Sequence, residues 1–289
     1  NVIDDTPRLK IIGLGGMGMR LAEVARASEG SVLFGVADAD VKKVETAAEK
    51  FECKAYGSWR EVIADNAIHA VVIATPHVFL TEIAQAALAA GKHVFCEKPG
   101  GVSSVEIQKG VDIAKEKNLR YRVNFNMRLH PAVALAKQKV DAGEVGSLMF
   151  LRGVYAHGGR EGYEKEWWCK KELSGGGELI DQGSHLIDLA NWFLGPFHKI
   201  SAFLGTAFWN IAPLEDNAFV LLQNERGAIA SLHASWTQWK KMFRIELYGA
   251  KGYLICEGLG GQYGTKKLIQ GERALGREAP PEHVFEFSS

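Results

Sequence analysis

Two side chains able to move a proton, Asp181 and His185, lie four residues apart in the stretch SGGGELIDQGSHLID (174–188). On a helix, residues i and i+4 share a face. An imidazole whose ordinary pKa lies near neutrality can take up or release a proton at physiological pH. Asp181 could orient that ring or hold a neighbouring hydroxyl. Equally, it could favour the first turns of the helix, and His185 could be a satisfied core histidine. Leu179, Ile180, Gly183, Leu186, Ile187 and Ala190 recur at helical spacing, which predicts one anchored face and another carrying Asp181, His185 and Asp188. The glycines ahead of them would let chain and substrate approach closely at the helix start.

A second chemistry sits near the start of the chain. Leu9–Ile12 (LKII) is a short apolar run that leads into Gly13-Leu14-Gly15-Gly16-Met17-Gly18, and the residues after it have helical spacing. GxGxxG between a strand and a helix is the context of a dinucleotide site. Gly13 would allow the tight turn, and Gly15, followed by Gly16 and Met17, would let backbone approach a pyrophosphate. Gly18 would let helix and strand pack closely. The strand SVLFGVAD ends in Asp38, placed to accept hydrogen bonds from ribose hydroxyls. A carboxylate there repels a 2′-phosphate, so NAD is the expected cofactor. Lys42 and Lys43 leave NADP open.

These groups need elements to hold them. Strand and helix patterns alternate through HAVVIATP, TEIAQAALAAGK, HVFCEKP, IQKGVDIAKEKN and RYRVNFN, which predicts an α/β, doubly wound parallel sheet over residues 1–125. From Asn126 the pattern changes. A helix (PAVALAKQKVDAG) and a strand (SLMFLRGVYA) precede the 174–188 segment, and KISAFLGTAFW, DNAFVLLQN, GAIASLHASW and MFRIELYGAKGYLICEG follow it. Residues 126–289 thus predict an α+β domain with a large, open, mostly antiparallel sheet, with a hairpin at QNERGA. A sheet with one uncovered face would expose apolar area, so a homodimer or homotetramer is expected.

Between the first of those strands and the glycines runs HGGREGYEKEWW, with His157, Arg160, Tyr163 and Trp167. Together with Tyr155 and Arg128 it could bind a sugar or cyclitol, aromatic faces stacking while polar groups meet hydroxyls. The arginines could pair with a carboxylate or phosphate on the substrate. The alternative is a surface loop whose tryptophans fill a satellite core. His157, Asp181 and His185 lack a recognised metal-ligand spacing, so no metal is expected.

Composition narrows the classes further. Lysine plus arginine equal aspartate plus glutamate at 34 each, a balance without the basic excess of a nucleic-acid-binding domain. The cysteines, Cys53, Cys96, Cys169 and Cys256, form no CxxC pair, which predicts reduced, structural thiols and a cytoplasmic protein. The first residues do not read as a signal peptide, and no apolar run is long enough for a membrane span. The chain does not begin with methionine and stops abruptly at FEFSS, so an excerpt of a longer protein is expected.

GLGGMG, Thr75-Pro76 at a strand end, Glu97-Lys98-Pro99 and GGGELIDQGSHLID follow one another in that order. In this the chain resembles the Gfo/Idh/MocA family of NAD(P)-dependent oxidoreductases, from Leu9 to about Gly258. The resemblance implies an N-terminal Rossmann domain and a C-terminal sheet that often forms the oligomer contact. It implies that Lys98 is an active-site lysine, that Asp181 and His185 are the family's aspartate–histidine pair, and that Thr75, Pro76, His77 and Glu97 lie by the nicotinamide ribose. The chain departs from the family pattern at Asn126-Met127-Arg128, where a histidine is common in the middle position, and at GGVSSVE after Pro99. Only about one X–Pro bond in twenty is cis, so Lys98–Pro99 is expected to be trans.

The implied activity is hydride transfer between a nicotinamide cofactor and a secondary alcohol of a sugar, cyclitol or sugar derivative. His185 would serve as base or acid, and Lys98 would stabilise alkoxide charge. An NAD-dependent glycosidase working through transient oxidation, and a non-catalytic nucleotide-binding sensor, are the alternatives.

Overall fold

The computed structural model describes residues 6–276 and 278–288. The chain divides into two compact units. The first comprises residues 1–124 with Glu172–Gly175, and the second residues 125–171 with 176–289.

In the first unit six strands, β1 (Arg8–Ile12), β2 (Val32–Ala37), β3 (Lys54–Tyr56), β4 (Ala70–Ile73), β5 (His93–Glu97) and β6 (Tyr121–Asn124), form a parallel sheet. Their order is β3-β2-β1-β4-β5-β6. The connecting helices are α1 (Gly16–Ala27), α2 (Val41–Phe51), α3 (Trp59–Ala64), α4 (His77–Ala89) and α5 (Ser104–Glu116). Two apolar clusters, one around Ile73, Leu80, Ile83 and Val94 and the other around Ile11, Ala22, Val36 and Val44, form its core. Side-chain caps start several helices where the sequence offers them: Asp40 accepts from Lys42 N, Ser58 from Glu61 N and Ser103 from Glu106 N. The strand order reverses between β1 and β4, the point at which the carboxyl ends of an open parallel sheet form a ligand crevice.

The second unit carries an eight-stranded sheet built from β7 (Leu148–Ala156), β8 (Phe197–Gly205), β9 (Asn217–Asn224), β10 (Ile229–Ser235), β11 (Met242–Gly249), β12 (Gly252–Glu257), β13 (Lys266–Glu272) and β14 (Glu282–Phe287). The order is β14-β13-β12-β11-β7-β10-β9-β8, antiparallel throughout except that β10 runs parallel to β7. The helices are α6 (Pro131–Asp141), the short α7 (Lys171–Ser174), whose last three residues belong to the first unit, and α8 (Ser184–Leu194). Leu186, Leu189, Ala190 and Phe193 of α8 join Leu151, Val220, Leu232 and Ile245 of the strands in one core. The opposite sheet face follows the period of two: Phe219 and Leu221 are about half exposed, whereas Ala218, Val220 and Leu222 between them are buried.

Two local features differ from the sequence-based expectations. The Lys98–Pro99 bond is cis; a base rate describes X–Pro bonds at large and does not decide a particular turn. The stretch Leu179–Gly183 is a π-helical turn before α8 rather than part of a regular helix. The preceding glycines serve the chain's own packing. Gly175 has φ +76°, and a Cβ on Gly177 would lie 2.2 Å from the Glu215 carbonyl oxygen. A Cβ on Gly175 would instead meet the Val102 side chain, so the close approaches these glycines allow are to both backbone and side chain.

All four cysteines are free thiols, and Cys96, Cys169 and Cys256 are buried. Among the described residues, no helix is long and apolar enough to cross a membrane.

Candidate functional site

In the first unit the glycine turn joins β1 to α1. Gly13 takes φ +94°, and a Cβ there would lie 2.5 Å from the Ala74 carbonyl oxygen. One on Gly18 would lie 1.9 Å from the Gly13 carbonyl oxygen. Those two glycines are required by the chain itself. Gly15 and Gly16 differ, since a Cβ on either would meet nothing within 4 Å. Gly15 caps α1 with no side-chain hydrogen bond, and the first turn, which includes Met17, has no acidic residue. The helix N-terminus is therefore an open set of backbone N–H groups with positive dipole character, as a pyrophosphate requires.

Asp38 stands at the end of β2 beside this turn. Its Oδ2 accepts from Leu14 N at 2.5 Å and its Oδ1 from Asp40 N at 2.9 Å. Each carboxylate oxygen has a further lone pair for a ribose hydroxyl, and Ala39, not arginine, follows. The residues fit NAD. Asp38→Ser is expected to weaken NAD and to raise the NADP-to-NAD ratio of kcat/KM by about tenfold or more. Steady-state rates with both cofactors check this, and an unchanged ratio would remove the ribose role.

The remaining residues of this half also lie at the carboxyl ends of strands. Thr75 and Pro76 follow β4, and Pro76 caps α4. The Thr75 hydroxyl is buried without a hydrogen-bond partner among the described residues. His77, 3% exposed, opens α4, and its Nδ1 donates to the Ser174 carbonyl at 2.9 Å. Glu97 ends β5, where burial pushes its carboxyl above the ordinary range against a 2.6 Å hydrogen bond from Asn124 Nδ2. Lys98 follows directly, at the cis-proline turn.

In the second unit Asp181 lies in the π turn and His185 in the first turn of α8, 6% exposed. The His185 ring meets Phe125 edge-on and Tyr155 at a tilt, both at 6.0 Å between centroids. Glu178, fully buried, and Gln182 complete this wall. With its amide oriented by its neighbours, Gln182 donates to Glu178 Oε1 (2.6 Å) and to the Tyr155 carbonyl (3.2 Å), and accepts from His157 Nε2 (3.2 Å). His157 Nδ1 accepts from Gly159 N at 2.8 Å, so the ring is a neutral Nε2–H tautomer. Burial accordingly holds its pKa below the usual histidine value, against the pull of Asp181.

Tyrosines enclose the same group. Burial raises the Tyr155 phenol, with Tyr263, Asp181 and Glu178 adding to the effect. The Tyr263 phenol is pushed up to about 12 by burial, Glu178 and Asp181, with a hydrogen bond to Gln182 opposing. The cluster is a set of neutral donors around the carboxyl groups of Glu178 and Asp181 and two imidazoles, able to hold hydroxyl groups and to exchange a proton. Among the described residues, no three acidic, histidine or cysteine side chains are placed to hold a metal ion.

Other expected ligands have internal roles. Arg128 is engaged bidentately by Asp188, Nε to Oδ2 at 2.8 Å and Nη2 to Oδ1 at 2.6 Å, and Arg160 pairs with Glu166. Tyr163, 3% exposed, is packed with Trp168, Trp209 and Trp236 in a satellite core. Trp167 is partly exposed, edge-on to Trp168. Sequence reasoning missed Glu178, Gln182 and Tyr263. The first two flank Asp181 in the quoted segment. Tyr263 lies in the glycine-rich loop GLGGQYGT, where no periodicity marks it.

The first unit is a dinucleotide-binding α/β fold, and the second carries Asp181 and the buried His185 on an open-sheet scaffold. Residues 8–125 match the family model described as "Oxidoreductase family, NAD-binding Rossmann fold", and residues 133–255 match the Gfo/Idh/MocA C-terminal domain. The chain belongs to the Gfo/Idh/MocA oxidoreductase family. It is 37% identical over 174 residues to levoglucosan dehydrogenase of Pseudarthrobacter phenanthrenivorans, which covers 59% of this chain and 45% of that protein. The match thus spans under half the length of that relative. It is 28% identical over 265 residues to scyllo-inositol 2-dehydrogenase (NAD(+)) of Bacillus subtilis, covering 89% of this chain and 76% of the relative. A solved levoglucosan dehydrogenase in complex with NADH and levoglucosan superposes with a TM-score of 0.86 at 28% identity, over 97% of this chain and 80% of that one.

Proposed function

We propose that the chain carries out NAD-dependent oxidation, or the reverse reduction, of a secondary alcohol on a sugar, cyclitol or sugar derivative. The observation that supports this best is the cluster of Asp181 with the buried His185, on a chain whose other unit is shaped as a dinucleotide cradle. The relatives named as levoglucosan and scyllo-inositol dehydrogenases point to the same substrate class.

When bound, the nicotinamide supplies the hydride acceptor or donor. His185 takes the hydroxyl proton in oxidation and returns it in reduction. Asp181 orients the imidazole, and Lys98 stabilises developing alkoxide charge. Thr75, Pro76, His77 and Glu97 position the cofactor. Tyr155 donates to substrate hydroxyls, His157 holds the Gln182 amide in place beside it, and Trp167 offers a partly exposed aromatic face. Screening neutral sugars, cyclitols, uronic acids and nucleotide sugars with NAD and NADP tests the reading. Rising absorbance of reduced cofactor is the expected result. Glycoside cleavage without net cofactor reduction would replace the dehydrogenase reading.

The open sheet face is the contact of a homodimer or homotetramer in this reading. It combines exposed Phe203, Phe219, Leu221 and Ile229 with the ion pairs Arg152–Glu246 and Lys267–Glu257. Light scattering that returned a monomer at working concentration would remove that part.

A further inference from the structure

A cavity of about 520 Å³ opens at the strand ends of the second unit, where β11 begins and β12 ends. Lys240, Lys241, Arg244, Gln262, Tyr263 and Thr265 are among its lining residues. Arg244 is committed to Glu246 and Glu257, and Lys267 to Glu257 at 3.0 Å. Glu286 also lines the cavity and stands exposed at its margin. Lys240 and Lys241 have neither an ion pair nor a hydrogen bond among the described residues.

We propose that Lys241, assisted by Lys240, is a specificity residue that binds an oxyanion, a carboxylate or a phosphate, carried by the substrate. Three observations place it next to the polar cluster. Its Nζ lies 5.7 Å from the centre of the Tyr263 ring. That ring packs against Tyr155 at 6.1 Å, and Tyr155 in turn meets His185. The Lys241 charge is also felt by His157, which responds to Asp181 in the opposite sense.

An ammonium group beside aromatic walls is partly shielded from water, so its attraction for an anion is stronger than at an open surface. The charges are also sorted. Asp181 and Glu178 act on Tyr155 and Tyr263 and repel an oxyanion, while Lys241 stands over the Tyr263 ring and, with Lys240 in the same cavity lining, attracts it. A sugar bearing one anionic substituent is thereby oriented with its charge toward Lys241 and its neutral hydroxyls toward the acidic cluster. The two arginines that sequence pattern offers for this task, Arg128 and Arg160, are already paired within the chain.

The inference rests on the sugar-oxidoreductase reading for its substrate but is tested by binding, which does not depend on turnover. Calorimetric titration with NAD present uses three probes: D-glucuronate, inorganic phosphate and D-glucose. The whole chain is compared with Lys241→Gln and with the Lys240→Gln/Lys241→Gln pair, exposed or rim changes that leave the fold intact. At least one anion is expected to bind about tenfold or more tightly than glucose, with the advantage lost in the double variant and reduced by salt. Preference for glucuronate identifies a carboxylate ligand, and preference for phosphate a phosphorylated one. Equal binding of anions and glucose, no saturable binding of either anion, or a preference that survives the double change overturns the proposal. Cofactor reduction with neutral polyols at equal rates in all three proteins would then leave the oxidoreductase reading standing. A charge preference without cofactor reduction on any polyol or uronic acid would do the reverse.

Discussion

Replacing His185 with alanine is expected to lower kcat by about 10²–10⁴-fold, the range of a lost general acid–base catalyst. That corresponds to about 3–5 kcal/mol of transition-state stabilisation. NAD affinity should be unchanged, because His185 belongs to the second unit whereas the glycine turn and Asp38 belong to the first. The side chain is 6% exposed between Phe125 and Tyr155, so alanine also leaves a cavity. His185→Asn or His185→Gln, which keep more of the volume and polarity, separate lost packing from lost proton transfer. If turnover against an established substrate survives in the asparagine variant at a tenth of the normal rate or better, His185 is not the proton carrier. Lys98→Ala should also depress turnover, and combining it with the histidine change should cost less than the sum of the two if both serve one transition state.

Much of the first unit was legible in the sequence because its signals are local. Buried parallel strands read as apolar runs, helices between them have their own periodicity, and GLGGMG marks the crevice. Lys10 shows where this stops. It sits inside the apolar run of β1, fully buried, with Nζ 2.6 Å from Asp65 Oδ2 and over the Tyr56 ring. Its partners are 46 and 55 residues away, and no local pattern announces them.

In the second unit, strands with period-two alternation were readable through β12. Lys266–Glu272 and Glu282–Phe287 were not, since charged residues interrupt their apolar positions and both become strands through pairing with β12 and with each other. The Asp181–His185 pair was visible as a spacing. Its surroundings were not: Tyr263, influenced by Asp181, lies 82 positions after it, and Arg128 is paired with Asp188, 60 positions away. The parallel pairing of β7 with β10 is likewise a property of the assembled sheet.

The two kinds of glycine in the β1–α1 turn make opposite predictions. Gly18→Ala would put a methyl group 1.9 Å from the Gly13 carbonyl oxygen. Both partners are backbone at the mouth of a parallel sheet, so neither can swing aside. A loss of about 2–4 kcal/mol of stability is expected, in the range of overpacked or strained core positions. Cofactor binding would fall with it. Gly15→Ala is different in kind. Gly15 has φ −70°, which any residue adopts, and no protein atom lies within 4 Å of the added methyl. The melting temperature should hold or rise slightly through reduced freedom of the unfolded chain. Affinity for NAD should nevertheless drop by about 10–100-fold, because the methyl group occupies the space through which a pyrophosphate reaches the N-terminal N–H groups of α1. Thermal melts without cofactor, together with fluorescence titration with NADH, measure both quantities on both variants. A Gly15→Ala protein that binds NADH as tightly as the unaltered chain would show that the open side of this turn is not where the cofactor's phosphates lie. Asp38, beside the same turn, would then lose its assigned place at the ribose as well.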